Sequence, residues 1–170
     1  MRTGQMFVVS DLHLGHGKAA LSRGFESIEE HDEELIARWN SVVTHRDVVY
    51  NLGDVIFSPS TKMHLLDRLN CRRHYLVVGN HEHHDIKRYA PFFSKIRLMQ
   101  PYKERYLFTH MPVHRSQLEE RFKGMVNVHG HLHDHEVQLE DNLYFNVNCE
   151  FTGLAPLNID ELGRLIKERL

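Results

Sequence analysis

The sequence predicts one α/β domain that begins as a parallel sheet and takes on α+β character in its second half. Short apolar runs at residues 6–10, 47–52 and 75–78 alternate with stretches of helical periodicity, the β-loop-α order of a parallel sheet. Beyond residue 95 the candidate strands crowd together, leaving room only for short helices. The 170 residues carry no repeat, linker or low-complexity segment, so residues 1–170 are read as a single domain with one core.

The elements follow in order. Residues 6–10 form a buried strand, and a polar, glycine-containing stretch runs from Asp11 to Gly24. Ser27 and Glu30 make a capping box, after which Ile28, Leu35, Ile36, Trp39 and Val43 recur at helical spacing. Asp47 to Leu52 is the second strand. Ser60 caps a helix reaching Leu69, with Met63, Leu66 and Leu69 on one face. Tyr75 to Val78 is the third strand. Further strands are expected at Ile96–Met99, Arg105–Thr109, Met125–His129, Glu136–Leu139 and Leu143–Asn148. A short helix fits Ser116–Phe122, Asp141-Asn142 is a hairpin turn, and Asp160 to Leu170 is an amphipathic closing helix.

Composition excludes several classes of function. With 21 basic and 23 acidic residues, the chain has no broad basic coat for duplex nucleic acid or anionic lipid. No apolar run is long enough to span a membrane. Only Met6 to Val9 are apolar before Ser10 and Asp11, so a signal peptide is not expected. Cys71 and Cys149 stand alone, outside any C-x-x-C pair, and point to a reducing, cytoplasmic setting. Histidine is abundant, at 15 residues, which suggests imidazole used for metal binding or proton transfer.

The placement of the unusual residues is more informative than their number. The predicted strands end in Asp11-x-His13, Gly53-Asp54, Gly79-Asn80-His81, Thr109-His110 and Gly130-His131-x-His133. In open α/β sheets, ligands gather at the carboxyl ends of strands, so these five loops can meet in one cleft. Asp11, His13, Asp54, Asn80, His110, His131 and His133 offer oxygen and imidazole donors and no thiolate. That disfavours structural zinc and favours catalytic Mn²⁺, Fe, Zn²⁺ or Ni²⁺. Seven donors exceed the needs of one catalytic ion. Two divalent ions about 3.5–4 Å apart would clamp both the attacking and the leaving oxygen of a phosphoryl group.

These five blocks, in this order, resemble those of the calcineurin-like metallophosphoesterases. The resemblance implies a four-layer αββα sandwich, two mixed β-sheets flanked by helices, with a dinuclear site at its top edge. It allocates Asp11, His13 and His133 to one metal and Asn80, His110 and His131 to the other, with Asp54 bridging. His81 is then no ligand but the acid that protonates the leaving oxygen, or an electrostatic partner of the phosphate. The implied reaction is hydrolysis of a phosphate ester by a metal-bridging hydroxide, with no serine or cysteine nucleophile.

Departures from the family narrow the substrate. Its protein-phosphatase branch carries an Asp and an Arg shortly after Gly-Asp, where this chain reads Val55 to Pro59, which argues against a phosphoprotein substrate. Small phosphodiesterases of the family often have Cys at the position of His81. The blocks are closely spaced, leaving no room for a cap over the cleft. A phosphodiesterase is therefore favoured over a monoesterase, acting on a phosphate ester that includes nucleotides in its range. Two other classes remain: a catalytically silent scaffold that binds a partner protein, and a nucleic-acid end-processing nuclease or phosphatase.

The other candidates have plain alternatives. His16 either touches the phosphate or is a loop residue; His114 and Arg115 either supply positive charge to the substrate or start a solvated helix. His129 and His135 are read as structural or peripheral, Trp39 as core, and Arg72 and Arg73 as a solvated edge. His31, His45, His64 and His74 are read as surface residues.

Overall fold

The computed structural model describes residues 3–57, 62–82, 85–133 and 142–169. A five-stranded sheet is ordered β4-β3-β2-β1-β9, where β1 is Met6–Val9, β2 Val48–Asn51, β3 Arg73–Val77, β4 Lys95–Arg97 and β9 Leu157–Asn158. Strands β1 to β4 are mutually parallel and β9 is antiparallel to β1. The second sheet is ordered β5-β6-β7-β8, from Met99–Tyr102, Tyr106–Thr109, Val126–His129 and Tyr144–Asn146. Here β5 is antiparallel to β6, and the remaining pairs are parallel.

Strand alternation sorts the core into layers, because successive side chains point to opposite faces. Phe7, Val9, Val49 and Leu76 pack with Leu35, Ile36, Trp39 and Val43, which lie on or at the end of helix α2 (Ile28–Val42). Val8 and Val77 turn the other way and meet Phe108, Val128 and Phe145 of the second sheet. Leu107 and Tyr144 face outward from that sheet onto Leu118 and Phe122. Leu118 belongs to a short helix, Arg115–Glu120. The order helix, sheet, sheet, helix matches the expected sandwich of two mixed sheets.

Local signals explain most of the elements. Ser27 Oγ accepts from the Glu30 N–H at 3.0 Å, and Glu29 and Glu30 complement the positive end of the α2 dipole. The closing helix, Ile159–Glu168, is capped by Asn158, which accepts from the Asp160 N–H at 2.8 Å. Its Leu162 and Ile166 enter the layer between the sheets.

Several elements differ from the sequence reading. The helix expected up to Leu69 is a 3₁₀ helix over Met63–Arg68, for which the three-residue spacing of Met63, Leu66 and Leu69 is the natural repeat. Ser60 lies outside the described residues, as do Asp141, His135 and the expected strand Glu136–Leu139. The stretch Ile96–Met99 belongs to two strands in different sheets, broken at Leu98, which is 78% exposed. A helix at Gly17–Ser22 and the two-residue β9 were not anticipated, since both are too short for periodicity to register. His31 and His74 are buried rather than superficial. His74 shares the inward parity of Leu76 on β3 and packs between Phe93 and Trp39, with ring centroids 4.2 and 5.3 Å away. Among the described residues, no helix is long and apolar enough to cross a membrane.

Burial holds the His74 imidazole down at about 3. The unfolded chain therefore takes up a proton near pH 6.5 that the folded chain refuses until about pH 3, so stability falls as pH drops through that window. The group contributes up to about 1.4 kcal/mol per pH unit. In urea unfolding, His74→Phe should lose about 2 kcal/mol less than the parent between pH 7.5 and pH 5. Parallel pH profiles for the two proteins would show that His74 is not neutral in the fold.

Candidate metal centre

The register of the sheets places the strand ends level. Val9 pairs with Asn51 and Asn51 with Leu76, so the loops after β1, β2 and β3 leave one edge side by side. The second sheet joins that edge where Ser10 bridges Asn148, with Ser10 N–H donating to Val147 O and Cys149 N–H to Ser10 O. Gly130 N–H donates to His110 O at 2.9 Å, aligning the loops after β6 and β7. All eight side chains singled out as ligands or acid converge there. Asp11, His13 and His133 form one group able to hold a metal ion, His13, Asp54 and His81 a second, and Asp54, His110 and His131 a third. Asn80 joins through its Oδ1, 2.8 Å from His110 Nε2.

Reaching this arrangement requires unusual backbone. Asp11, His13, Asp54, His131 and His133 have φ between 47° and 67°; they are five of the eight non-glycine residues in the left-handed region among those described. Such a conformation costs roughly 1–2 kcal/mol per residue, and it clusters at functional sites because surrounding contacts can enforce it. Those contacts are visible here: Asp11 N–H to Gly53 O at 3.0 Å, His13 N–H to Asp54 O at 2.9 Å, and Leu14 N–H to Val55 O at 3.0 Å. Close approach also demands glycine at two positions. A Cβ on Gly130 would overlap Ser10 and the Asp11 carboxylate, and one on Gly79 would overlap the Asp54 carboxylate.

The Asp11 and Asp54 carboxylates each use one oxygen on the backbone and turn the other toward imidazoles. Asp11 Oδ2 accepts from His131 N–H at 2.9 Å and Asp54 Oδ1 from His81 N–H at 3.0 Å. Asp54 Oδ2 lies 3.4 Å from His110 Nε2 and 3.7 Å from the Nε2 atoms of both His13 and His81. Asp11 Oδ1 lies 3.7 Å from His13 and 3.8 Å from His133, and it is buried without a hydrogen-bond partner among the described residues. A cation bound at the usual 2.0–2.2 Å separates its donors by roughly 3–3.5 Å. The donor chemistry, the spacing and the orphaned oxygen all fit a divalent metal.

Outer contacts orient the rings. His110 Nδ1 donates to Leu52 O at 2.8 Å, turning Nε2 toward Asp54 and Asn80. Burial lowers the His110 pKa, but Asp54 and Asp11 outweigh it and hold the imidazole up at about 8. His133 Nδ1 lies 3.2 Å from Glu150 Oε1, whose hydrogen bond raises that imidazole. Burial lowers His81, with Asp54 opposing, and lowers His131, with His110 adding to the effect. For Asp54, burial alone would raise the carboxyl; His110 beside it prevails and holds it at about 2.

The remaining candidates fall at the margin. The His16 ring lies flat on Phe57, centroids 3.7 Å apart, and 5.2 Å from His13. Burial, then His13, push it down to about 4, so it enters the cleft as a neutral ring. His114 caps the helix Arg115–Glu120 by accepting from the Ser116 N–H, and Arg115 pairs with Glu119 at 2.6 Å. Cys149 donates Sγ–H to Asp11 O at 3.2 Å, and burial pushes its thiol up, away from nucleophilic character.

Three supporting residues escaped sequence reasoning. Glu82 is fully buried and accepts from the N–H groups of Asp54, Val55 and Gly79 at 3.0, 2.7 and 2.8 Å, tying the loops after β2 and β3 together. Glu150 faces His133, and Arg23 reaches Asp11 and Leu12 from behind. An acid or arginine in a loop is solvated by default. Only Glu82, directly following Gly79-Asn80-His81, carried a positional signal.

Known proteins resemble this chain in sequence or in fold. An uncharacterized protein of Methanocaldococcus jannaschii is 28% identical over 181 residues, an alignment covering 99% of this chain and 94% of that one. The crystal structure of an Aquifex aeolicus protein of unknown function superposes with a TM-score of 0.75 at 19% identity, covering 96% of this chain and all of the other. A Mycobacterium tuberculosis phosphopantetheinyl hydrolase has the fold at a TM-score of 0.51 and 13% identity, covering 86% and 89% of the two chains. The calcineurin-like phosphoesterase family model matches residues 5–162, which takes in every strand end that feeds the cluster, and the chain belongs to that family.

Proposed function

We propose that the chain hydrolyses phosphate esters, diesters in preference to monoesters, using two divalent cations. Asp11, His13 and His133 would hold one, Asn80, His110 and His131 the other, and Asp54 would bridge them. The observation that carries this reading is the pair of buried carboxylates whose free oxygens lie within 4 Å of imidazole nitrogens on both sides. Mn²⁺, Fe, Zn²⁺ and Ni²⁺ all suit an oxygen-and-imidazole donor set. When bound, such a pair supplies Lewis acidity and a water acidic enough to be deprotonated near neutral pH.

The chain's own residues do the rest. The backbone donors to Asp11 and Asp54 fix the donor geometry before substrate arrives, which limits reorganisation during the reaction. The His81 ring is a third exposed, whereas the rings of His13 and His110 are buried, so His81 is reachable by an incoming ester. It would protonate the leaving oxygen, with the negative phosphate offsetting the downward pull of burial. His16 and Phe57 border this side of the cleft. The neighbour described as a phosphopantetheinyl hydrolase is an instance of the fold in a hydrolase and accords with the reaction class. Retention of a full donor set together with His81 disfavours a silent scaffold, and near-neutral charge disfavours strong duplex binding. The free thiols Cys71 and Cys149 suit a cytoplasmic location.

Hydrolysis of bis-p-nitrophenyl phosphate with added Mn²⁺ tests the reading. Asp54→Asn should lose turnover by a factor of about 100 or more, because both subsites share that oxygen. His81→Ala should retain its metal and lose about 100-fold on alkyl diesters, but much less on p-nitrophenyl esters, whose leaving group needs no proton. An equal loss on both ester types would make His81 an electrostatic partner, and loss of metal would make it a ligand. Absence of metal-dependent turnover in the parent, on this and on nucleotide diesters, would favour the scaffold.

The pH dependence of metal loading follows from His110. With its imidazole held at about 8, the metal-free site carries a proton there at neutral pH, and a cation must displace it. Apparent affinity should therefore weaken as pH falls from 8 to 6. Calorimetry at pH 7 in buffers of different ionisation enthalpy should show about one proton released from this group. Affinity flat across that range would rule His110 out as a ligand.

A further inference from the structure

The geometry points to Arg23 as the positioning residue for one half of this centre, the half built from Asp11, His13 and His133. The inference rests on the two-cation reading above. Arg23 stands at the end of the helix Gly17–Ser22, yet its side chain is only 3% exposed. Nη2 donates to Asp11 O at 2.7 Å, Nη1 to Leu12 O at 2.8 Å, and Nε to Glu150 Oε1 at 2.8 Å. Nη1 also lies 2.9 Å from His31 Nε2.

Each contact leads to a ligand of the same subsite. Asp11 and His13 flank Leu12, and both are held in the left-handed region, which turns successive carbonyls inward. Buried carbonyls need donors. The planar guanidinium fork spans two neighbouring ones, as an ammonium cannot. The third ligand is reached through Glu150, whose Oε1 accepts from Arg23 and also faces His133 Nδ1 at 3.2 Å. Glu150 is thus both the counter-charge that makes a buried guanidinium tolerable and the group that aims the His133 ring. His31 extends the frame: its Nδ1 lies 3.1 Å from Asp32 Oδ1, which accepts from Gly15 N–H at 2.8 Å, just past His13.

The other subsite is fixed mostly by different groups, the exception being His131, whose N–H donates to the Asp11 carboxylate. His110 is held by Leu52 O, His131 by Asp11 Oδ2, and the loops bearing Asp54 and Asn80 by Glu82. Loss of Arg23 should accordingly weaken one metal and spare its neighbour, whereas a residue that merely stabilises the fold would affect both alike.

The test is calorimetric titration of the chelator-stripped full chain with Mn²⁺, with electron paramagnetic resonance separating isolated from spin-coupled ions. The parent should bind two ions. In Arg23→Ala, one affinity should fall by about 10–100-fold and the other by less than about threefold, with an isolated-ion spectrum replacing the coupled one at limiting metal. Arg23→Lys should restore little, since it keeps the charge and loses the fork. Glu150→Gln should reproduce the selective loss, and the double variant should be no worse than the more severe single one, as residues acting through one path are not additive. Glu150→Gln also carries the test should Arg23→Ala fail to fold. Equal weakening of both sites in step with a lower Tm, or two unchanged affinities in a folded Arg23→Ala, would overturn the inference and leave the two-cation reading standing. A parent that binds no pair of ions would overturn both.

Discussion

Two carboxylates buried in one cleft are an electrostatic debt, and the way Asp11 and Asp54 are held determines much of the surrounding structure. Burial of an ionised group without compensation is prohibitive. Each acid meets one oxygen's need with a backbone N–H and leaves the other facing imidazoles. Among the described residues Asp11 Oδ1 has no hydrogen-bond partner, and Asp54 and Asp11 hold the His110 imidazole up at about 8. Both features describe a site arranged around positive charge. The protonated imidazole is a partial substitute for that charge, and a divalent cation satisfies the same oxygens more completely.

The fold makes the arrangement affordable by separating apolar packing from the strained loops. Val8, Val77, Phe108, Val128 and Phe145 fill the space between the sheets, and Trp39 and Leu35 cover the first sheet. The strand ends are thereby level and fixed before the chain turns. Left-handed backbone at five residues of the candidate site is then enforced by hydrogen bonds between loops, not by local preference. Gly130 and Gly79 permit those loops to touch the two acids.

The parts of this design that repeat in sequence were legible there. The parallel front sheet followed from apolar runs separated by helical periodicity, and the capping of α2 from Ser27 and Glu30. The side chains at the strand ends were visible because a strand end marks where a loop enters the cleft. The two-residue β9 and the six-residue helix Gly17–Ser22, set in a polar, glycine-containing stretch, offered no apolar run or repeat to read. His31 and His74 were misplaced because imidazole is compatible with surface and core alike; only the inward parity shared with Leu76 distinguishes His74. Arg23 and Glu150, and Glu82 apart from its place directly after Gly79-Asn80-His81, were hidden for a different reason. Their roles depend on contacts across long stretches of chain, and a charged residue carries no one-dimensional sign of being buried.

The centre also has a structural consequence for the sandwich. Asp11, His13, Asp54 and Asn80 leave the first sheet, while His110, His131 and His133 leave the second. Within the described residues, the main-chain link between the sheets at this edge is the short pairing of Ser10 with Asn148 and its neighbours. The side chains that would hold cations therefore join the two sheets a second time, at the edge where left-handed backbone is concentrated. Arg23 works in the same direction, because it binds carbonyls that follow β1 and a carboxylate that follows β8. The geometry of the candidate site and sheet-to-sheet cohesion thus draw on the same few contacts. The donors can be buried and strained because the groups that aim them also close the top of the fold.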